Sequence, residues 1–174
     1  MHRTNFALHI DASSGARIVA HSPLYGAGAF SSLASTLKIA VPMSNTESAS
    51  RALLGGDFVA PTSAKPALVL EGVSGAFVDV QLSQPAMLRT VALAREAAGA
   101  DAACMVRRFA IMAIRKNKSA PAELLGEFMY DRGGDSAQEF TFARRRTAVT
   151  AVRLHVLSNH GDAARTCLYR LALY

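Results

Sequence analysis

The chain has 174 residues, 51% of them hydrophobic and 18% charged, with no tryptophan and a formal net charge of +6. That length suits one domain able to bury roughly 70% of its unfolded surface, and the composition excludes a disordered polymer. No apolar run approaches the roughly 20 residues of a membrane-spanning helix, and Met1-His2-Arg3-Thr4-Asn5 lacks the apolar core of a signal peptide. The basic clusters Arg107-Arg108, Arg115-Lys116-Lys118 and Arg144-Arg145-Arg146 contain no interleaved aromatics. They read as solvated loop ends and not as a nucleic-acid surface.

From the start, Phe6, Leu8 and Ile10 alternate, Ser13-Ser14-Gly15 turns, and Ala16 to Ala20 pairs back, which makes an edge of a sheet. His21-Ser22-Pro23 breaks it, and Leu24 to Ala40 has no strong period. Ser44-Asn45-Thr46-Glu47 has capping-box spacing, and Gly55-Gly56 stops the run, so the pattern predicts a short helix over 45–54. Asp57 to Pro66 is a polar, proline-bounded loop. Ala67–Gly72 and Ala76–Leu82 read as two strands around Gly72-Val73-Ser74-Gly75. Met87–Leu93 fits a strand or a helix on its own pattern.

Phe109–Ile114 is an apolar run of strand length, Arg115–Pro121 a turn, and Leu124–Tyr130 the returning strand. Asp131–Asp135 turns again and Gln138–Phe142 is another strand. Val152, Leu154 and Val156 alternate with Arg153 and His155, Ser158-Asn159-His160-Gly161-Asp162 supplies turn chemistry, and Thr166–Leu173 follows as a strand. This last hairpin is expected in the middle of a sheet. Many short strands divided by turns predict an all-β sandwich.

No catalytic constellation stands out. The five histidines, at 2, 9, 21, 155 and 160, lack zinc spacing. Ser158, His160 and Asp162 lie within five residues, whereas a catalytic triad is assembled from distant segments, so a hairpin turn would hold them poorly. Cys104 and Cys167 are too few for a disulfide framework and are read as buried small apolar residues. The expectation is a binding protein and not an enzyme.

Leu157-Ser158-Asn159-His160-Gly161 followed by Thr166-Cys167-Leu168-Tyr169-Arg170 resembles the signature that ends SUN domains, with His160 where the family has tryptophan. Leu124–Asp131 after Arg108–Ile114 is similar to the family's middle segment, and Asn5-Phe6-Ala7 with Ser14–Val19 to its opening. The resemblance implies one domain over 1–174 with a jelly-roll-like, galactose-binding-type sandwich, and it makes Met87–Leu93 a strand and Glu96–Asp101 a loop. It further implies binding of a KASH partner's C-terminal tail in the perinuclear space, from a protein anchored in the inner nuclear membrane that links nucleoskeleton to cytoskeleton. Members of the family trimerise through an upstream coiled coil, so this chain is expected to be an excised domain.

In the family, residues equivalent to 24–40 form a lid hairpin that clamps the tail by strand addition. Tyr169 matches the tyrosine of the pocket that receives the tail's terminal carboxylate. Arg165 stands where a second tyrosine is usual, Ala92 near an expected histidine and Cys104 at an expected serine. An arginine at 165 is able to hold a carboxylate bidentately or to lie exposed in its loop. The lid cysteine that some members bond to their partner is absent, with Ser22 or Pro23 near its place. The loop over 55–67 corresponds to a cation loop that holds a monovalent ion, K+, through backbone carbonyls. Asp57 and Tyr169 are its candidate residues here. Its usual disulfide to the cysteine of Thr-Cys-Leu-Tyr-Arg is expected to be missing, because no cysteine stands near Ala67, and that counts against ion binding. Two other readings compete: a glycan- or glycoprotein-binding sandwich module of the secretory pathway, and a SUN-like factor for membrane-protein folding in the endoplasmic reticulum.

Overall fold

The computed structural model describes residues 15–25, 53–54, 68–94, 102–114, 121–132 and 137–174, with backbone alone over 144–148. Eight strands follow in order: β1 (Arg17–His21), β2 (Leu68–Glu71), β3 (Phe77–Ala94), β4 (Val106–Ile114), β5 (Glu123–Met129), β6 (Ala137–Asn159), β7 (Arg165–Leu168) and β8 (Leu171–Leu173). One 3-10 turn, Ala102–Cys104, precedes β4. The large sheet runs β1-β3-β6-β4-β5, with β8 also on β3, and β2 and β7 form a small second sheet.

The period-2 pattern sorts the faces of the large sheet. Val78 and Val80 on β3, Val152, Leu154 and Val156 on β6, and Phe109 and Ile111 on β4 are all fully buried. Each such side chain contributes about 1.5–3 kcal/mol of transfer free energy. Phe77, Asp79 and Arg153 point the other way. Arg153 donates to both carboxylate oxygens of Asp79, at 2.7 and 2.9 Å, and its guanidinium lies 4.2 Å from the centre of the Phe77 ring.

The two expected strands Ala76–Leu82 and Met87–Leu93 are one strand, β3, whose pairing with β6 shifts register between Gln81 and Ala86 and again before Thr90. Pro85 lacks a backbone donor and sits in the exposed stretch between the two registers. On one side of the break β3 pairs with residues 151–155 of β6, and on the other with residues 137–141. The first half of β6 comes back over β4 and β5: Phe140 and Phe142 meet Phe109 and Phe128, with ring centres 5.3 to 5.8 Å apart. In that aromatic cluster Phe109 and Phe142 are buried, while Phe128 and Phe140 are half-buried and pack against the core. Gly126 leaves room for it, because a Cβ there would stand 2.5 Å from the tip of the Phe128 ring.

Two further expectations need correction. The closing strands do not form a hairpin. Both edges of β6 are already taken by β3 and β4, so β7 pairs instead with β2 and β8 with β3. Gly72–Gly75, between two strands as expected, carries the chain from the small sheet to the large one, with both glycines at positive φ (85° and 89°). Arg107-Arg108 and the backbone of Arg144–Arg146 lie inside β4 and β6 and not at loop ends. At β4, register shifts on either side of Arg108 let two successive arginines face solvent.

β1 is an edge strand on β3, as expected, while its proposed partner Phe6–Ile10 lies outside the described residues. Of the predicted helix over 45–54, Leu53 and Leu54 are described, both helical and buried. The loops over 55–67 and 96–101 and the 26–40 part of the expected lid lie outside the described residues.

Candidate functional site

The small sheet carries the terminal motif. β2 and β7 pair antiparallel, Leu68 opposite Leu168 and Glu71 opposite Arg165. Alternation sends Leu68, Leu70, Thr166 and Leu168 into the core, where all four are buried, and sets Val69, Glu71, Arg165 and Cys167 on the other face. Two further backbone segments extend the sheet. Leu24 bridges Leu70, Tyr25 N–H donates to the Val69 carbonyl (3.0 Å) and Glu71 N–H to the Pro23 carbonyl (2.7 Å). On the opposite side Met105 bridges Cys167 in parallel. The result is four adjacent rows: Pro23–Tyr25, β2, β7 and Met105.

Ser158–Asp162 folds as turn chemistry predicts, with the Asn159 and Asp162 side chains bonded to its backbone. Buried Asn159 donates from Nδ2 to the carbonyls of Asp162 (2.7 Å) and Arg165 (2.8 Å), and its Oδ1 accepts from Gly161 N–H (3.0 Å). Gly161 takes φ 131°. Asp162 Oδ1 accepts from the backbone N–H groups of Ala164 (2.8 Å) and Arg165 (3.0 Å), and Oδ2 accepts from Arg165 Nε (2.8 Å). The Arg165 hydrogen bond, followed by that of Ala164, holds the Asp162 carboxyl below the usual carboxylate range. The turn is seated on the 3-10 segment by His160 N–H to the Met105 carbonyl and Asp162 N–H to the Ala103 carbonyl, both 3.1 Å.

The cysteine reading is overturned. Cys104 and Cys167 form a disulfide, with Cα atoms 5.1 Å apart and both residues 1% exposed. The staple of the terminal motif is therefore present, but it runs to the 3-10 turn and not to the 55–67 loop. Local pattern concealed it because 63 residues separate the two positions and only the parallel Met105–Cys167 bridge sets them side by side. The readable signal was an even cysteine count in a chain resembling a lumenal domain.

Of the expected tail-binding residues, three gather around β7. Arg165 opens the strand and is half-buried, Cys104 is bonded to its middle, and Tyr169 follows its end. Tyr169, 4% exposed, lies in the two-residue link by which the chain crosses from β7 in the small sheet to β8 in the large one. The Arg170 carbonyl in that link accepts from Ala94 N–H at 3.1 Å. Ala92 is on β3 opposite Ala172 of β8 and is buried, so it stands apart on the large sheet. Asp57 lies outside the described residues. Sequence reasoning missed Tyr25, whose ring is 47% exposed and has the Arg165 guanidinium 5.5 Å from its centre. It also missed Asp162 as the partner of Arg165, although an Asp-x-x-Arg spacing at a turn was visible. Among the described residues no three His, Cys, Asp or Glu side chains cluster as metal ligands would, and no helix is long and apolar enough to cross a membrane.

Comparison with known proteins gives one family over most of the chain. The model of the Sad1 / UNC-like C-terminal family matches residues 43–174. Human SUN domain-containing protein 1 is 37% identical over 68 residues, which are 38% of this chain and 9% of that protein. The chain thus corresponds to a small part of that curated relative. Among solved structures, the F5/8 type C domain of a Bacteroides fragilis protein aligns with a TM-score of 0.62 at 13% identity, covering 96% of this chain and 95% of that one. The family 32 carbohydrate-binding module of Streptococcus pneumoniae EndoD aligns at 0.54 and 17% identity, covering 98% and 99%. These likenesses establish the galactose-binding-type sandwich and nothing about ligand.

Proposed function

The chain belongs to the SUN domains, the Sad1 / UNC-like C-terminal family, and from that premise we propose that it binds the C-terminal tail of a KASH-type protein. The observation that carries the reading is the construction of the small sheet. One unit of four rows holds both the terminal Thr-Cys-Leu-Tyr-Arg motif and Leu24-Tyr25, the first residues of the segment that resembles the family's lid. A lid rooted beside β2 is suited to adding a partner strand, a mode in which main-chain hydrogen bonds supply affinity and a few pockets supply specificity.

In this reading Tyr169 donates its phenol to the terminal carboxylate of the tail, a charge-assisted bond contributing about 1.5–3 kcal/mol. Nothing is turned over in this reading: Asn159 and Asp162 hold the backbone of the turn and the Arg165 side chain. A buried disulfide suits an oxidising compartment, which agrees with a domain facing the perinuclear space on a protein anchored in the inner nuclear membrane. Trimerisation and the linkage of nucleoskeleton to cytoskeleton belong to the same proposal. The Cys104–Cys167 bond leaves no cysteine to staple the 55–67 loop, which counts against a K+ site there.

The test is calorimetric titration of a synthetic KASH tail peptide into the wild-type chain and the Tyr169→Phe variant. Loss of the hydroxyl is expected to weaken binding by at least about tenfold. Equal affinity of the two proteins would remove Tyr169 from the site.

A further inference from the structure

Arg165 stands at the centre of this surface, and an arginine beside a proposed carboxylate pocket invites the role of carboxylate receptor. The geometry points to another role: we infer that Arg165 is a positioning residue that ties the terminal turn to Tyr25 at the root of the 24–40 segment. The inference deepens the tail-binding proposal and rests on it. Nε is engaged by Asp162 Oδ2 at 2.8 Å, in a pair whose side chains are 33% and 15% exposed. The guanidinium carbon sits 5.5 Å from the centre of the Tyr25 ring, within the range of a cation–π contact. Across the strand pair the residue opposite is Glu71, which is exposed.

These neighbours favour the positioning role. A tail carboxylate approaching Arg165 would meet a cation whose charge is already shared with Asp162, with the exposed Glu71 opposite it across the strand pair. The side facing Tyr25, in contrast, offers an aromatic ring, on which a planar guanidinium sits more favourably than an ammonium because it adds stacking to the cation–π attraction. Tyr25 is fixed to β2 by its backbone N–H, and Arg165 adds a hold on its ring. The arginine thereby bridges the turn over 158–165, β7 and the first residue pair of the lid-like segment. Recognition of the terminal charge is left to Tyr169.

The experiment compares a KASH tail peptide as free acid and as C-terminal amide, binding to the wild type, Arg165→Ala, Arg165→Lys, Tyr25→Ala and the double variant. Arg165→Ala is expected to weaken both peptide forms by the same factor, about two- to fivefold, the equivalent of an exposed cation–π contact. Arg165→Lys is expected to fall between Arg165→Ala and the wild type for both peptide forms, because an ammonium keeps a cation–π attraction without the planar stacking, and the double variant to bind no worse than the weaker single one. Loss of the acid-over-amide preference in Arg165→Ala would make Arg165 the carboxylate receptor and overturn the inference, as would multiplying effects in the double variant. A second arm needs no peptide: hydrogen exchange at the Tyr25 amide is expected to quicken in Arg165→Ala while β3 and β6 stay protected, and unchanged exchange would also overturn it. Should the wild type bind neither peptide form, the tail-binding proposal fails and the exchange arm alone decides the role of Arg165.

Discussion

Asp162 shows how one side chain organises the end of the chain. Its carboxylate accepts from two backbone N–H groups and from Arg165, so the ionised form is favoured in the folded turn over the unfolded chain. A carboxyl lowered on folding contributes stability that is fully present above its unfolded value and is lost as pH falls through its folded value. In an NMR titration the Asp162 carboxyl carbon should therefore show a midpoint below 3.8, the ordinary value for an aspartate, with the Ala164 and Arg165 amides moving in step. A midpoint at or above 3.8 would mean that the turn is not held this way. At this scale much was legible. Asn159, Gly161 and Asp162 were read as turn formers and take those roles with identifiable partners, and Tyr169 and Arg165 were singled out and adjoin one strand. Tyr25 was not legible, since its place depends on a bridge from Leu24 to Leu70 that no local pattern encodes.

Among elements, β7 is the one whose neighbours explain the site. It has four residues, too few to be stable alone, yet it pairs with β2, is bridged by Met105 and is bonded through Cys167 to the 3-10 turn. Closing a loop across the 63-residue separation of Cys104 and Cys167 removes chain entropy from the unfolded state worth about 4 kcal/mol. Denaturant unfolding with and without a reductant should show a stability loss of that order, and the Cys104→Ala/Cys167→Ala double variant should match the reduced protein. An unchanged midpoint on reduction would show that the bond adds nothing to stability. The strands themselves were partly legible. Period-2 alternation marked the second half of β6, an apolar run marked β4, and β1 and β5 were read as strands returning after a turn. The continuity of β3 and β6 was not, because exposed Ser83-Gln84-Pro85 and the Arg144–Arg146 run read locally as loops while pairing resumes beyond them in a new register.

For the molecule as a whole, the all-β sandwich was legible from the density of short strands and turns, and the family from two spaced motifs near the end. Which strand lies beside which was not, because the pairings of β7 with β2 and β8 with β3 follow from edges already occupied elsewhere. That long-range arrangement produces the site: it assembles the terminal motif, the disulfide and the residues near Tyr25 around one small sheet, with Leu68, Leu70, Thr166 and Leu168 buried in the core. The most direct test is a backbone NMR titration of the isotope-labelled chain with a KASH tail peptide. Saturable shifts concentrated at Leu24-Tyr25, β2, β7 and Tyr169 are the predicted result. Shifts absent from those residues, or a response there to galactosides and not to the peptide, would contradict it.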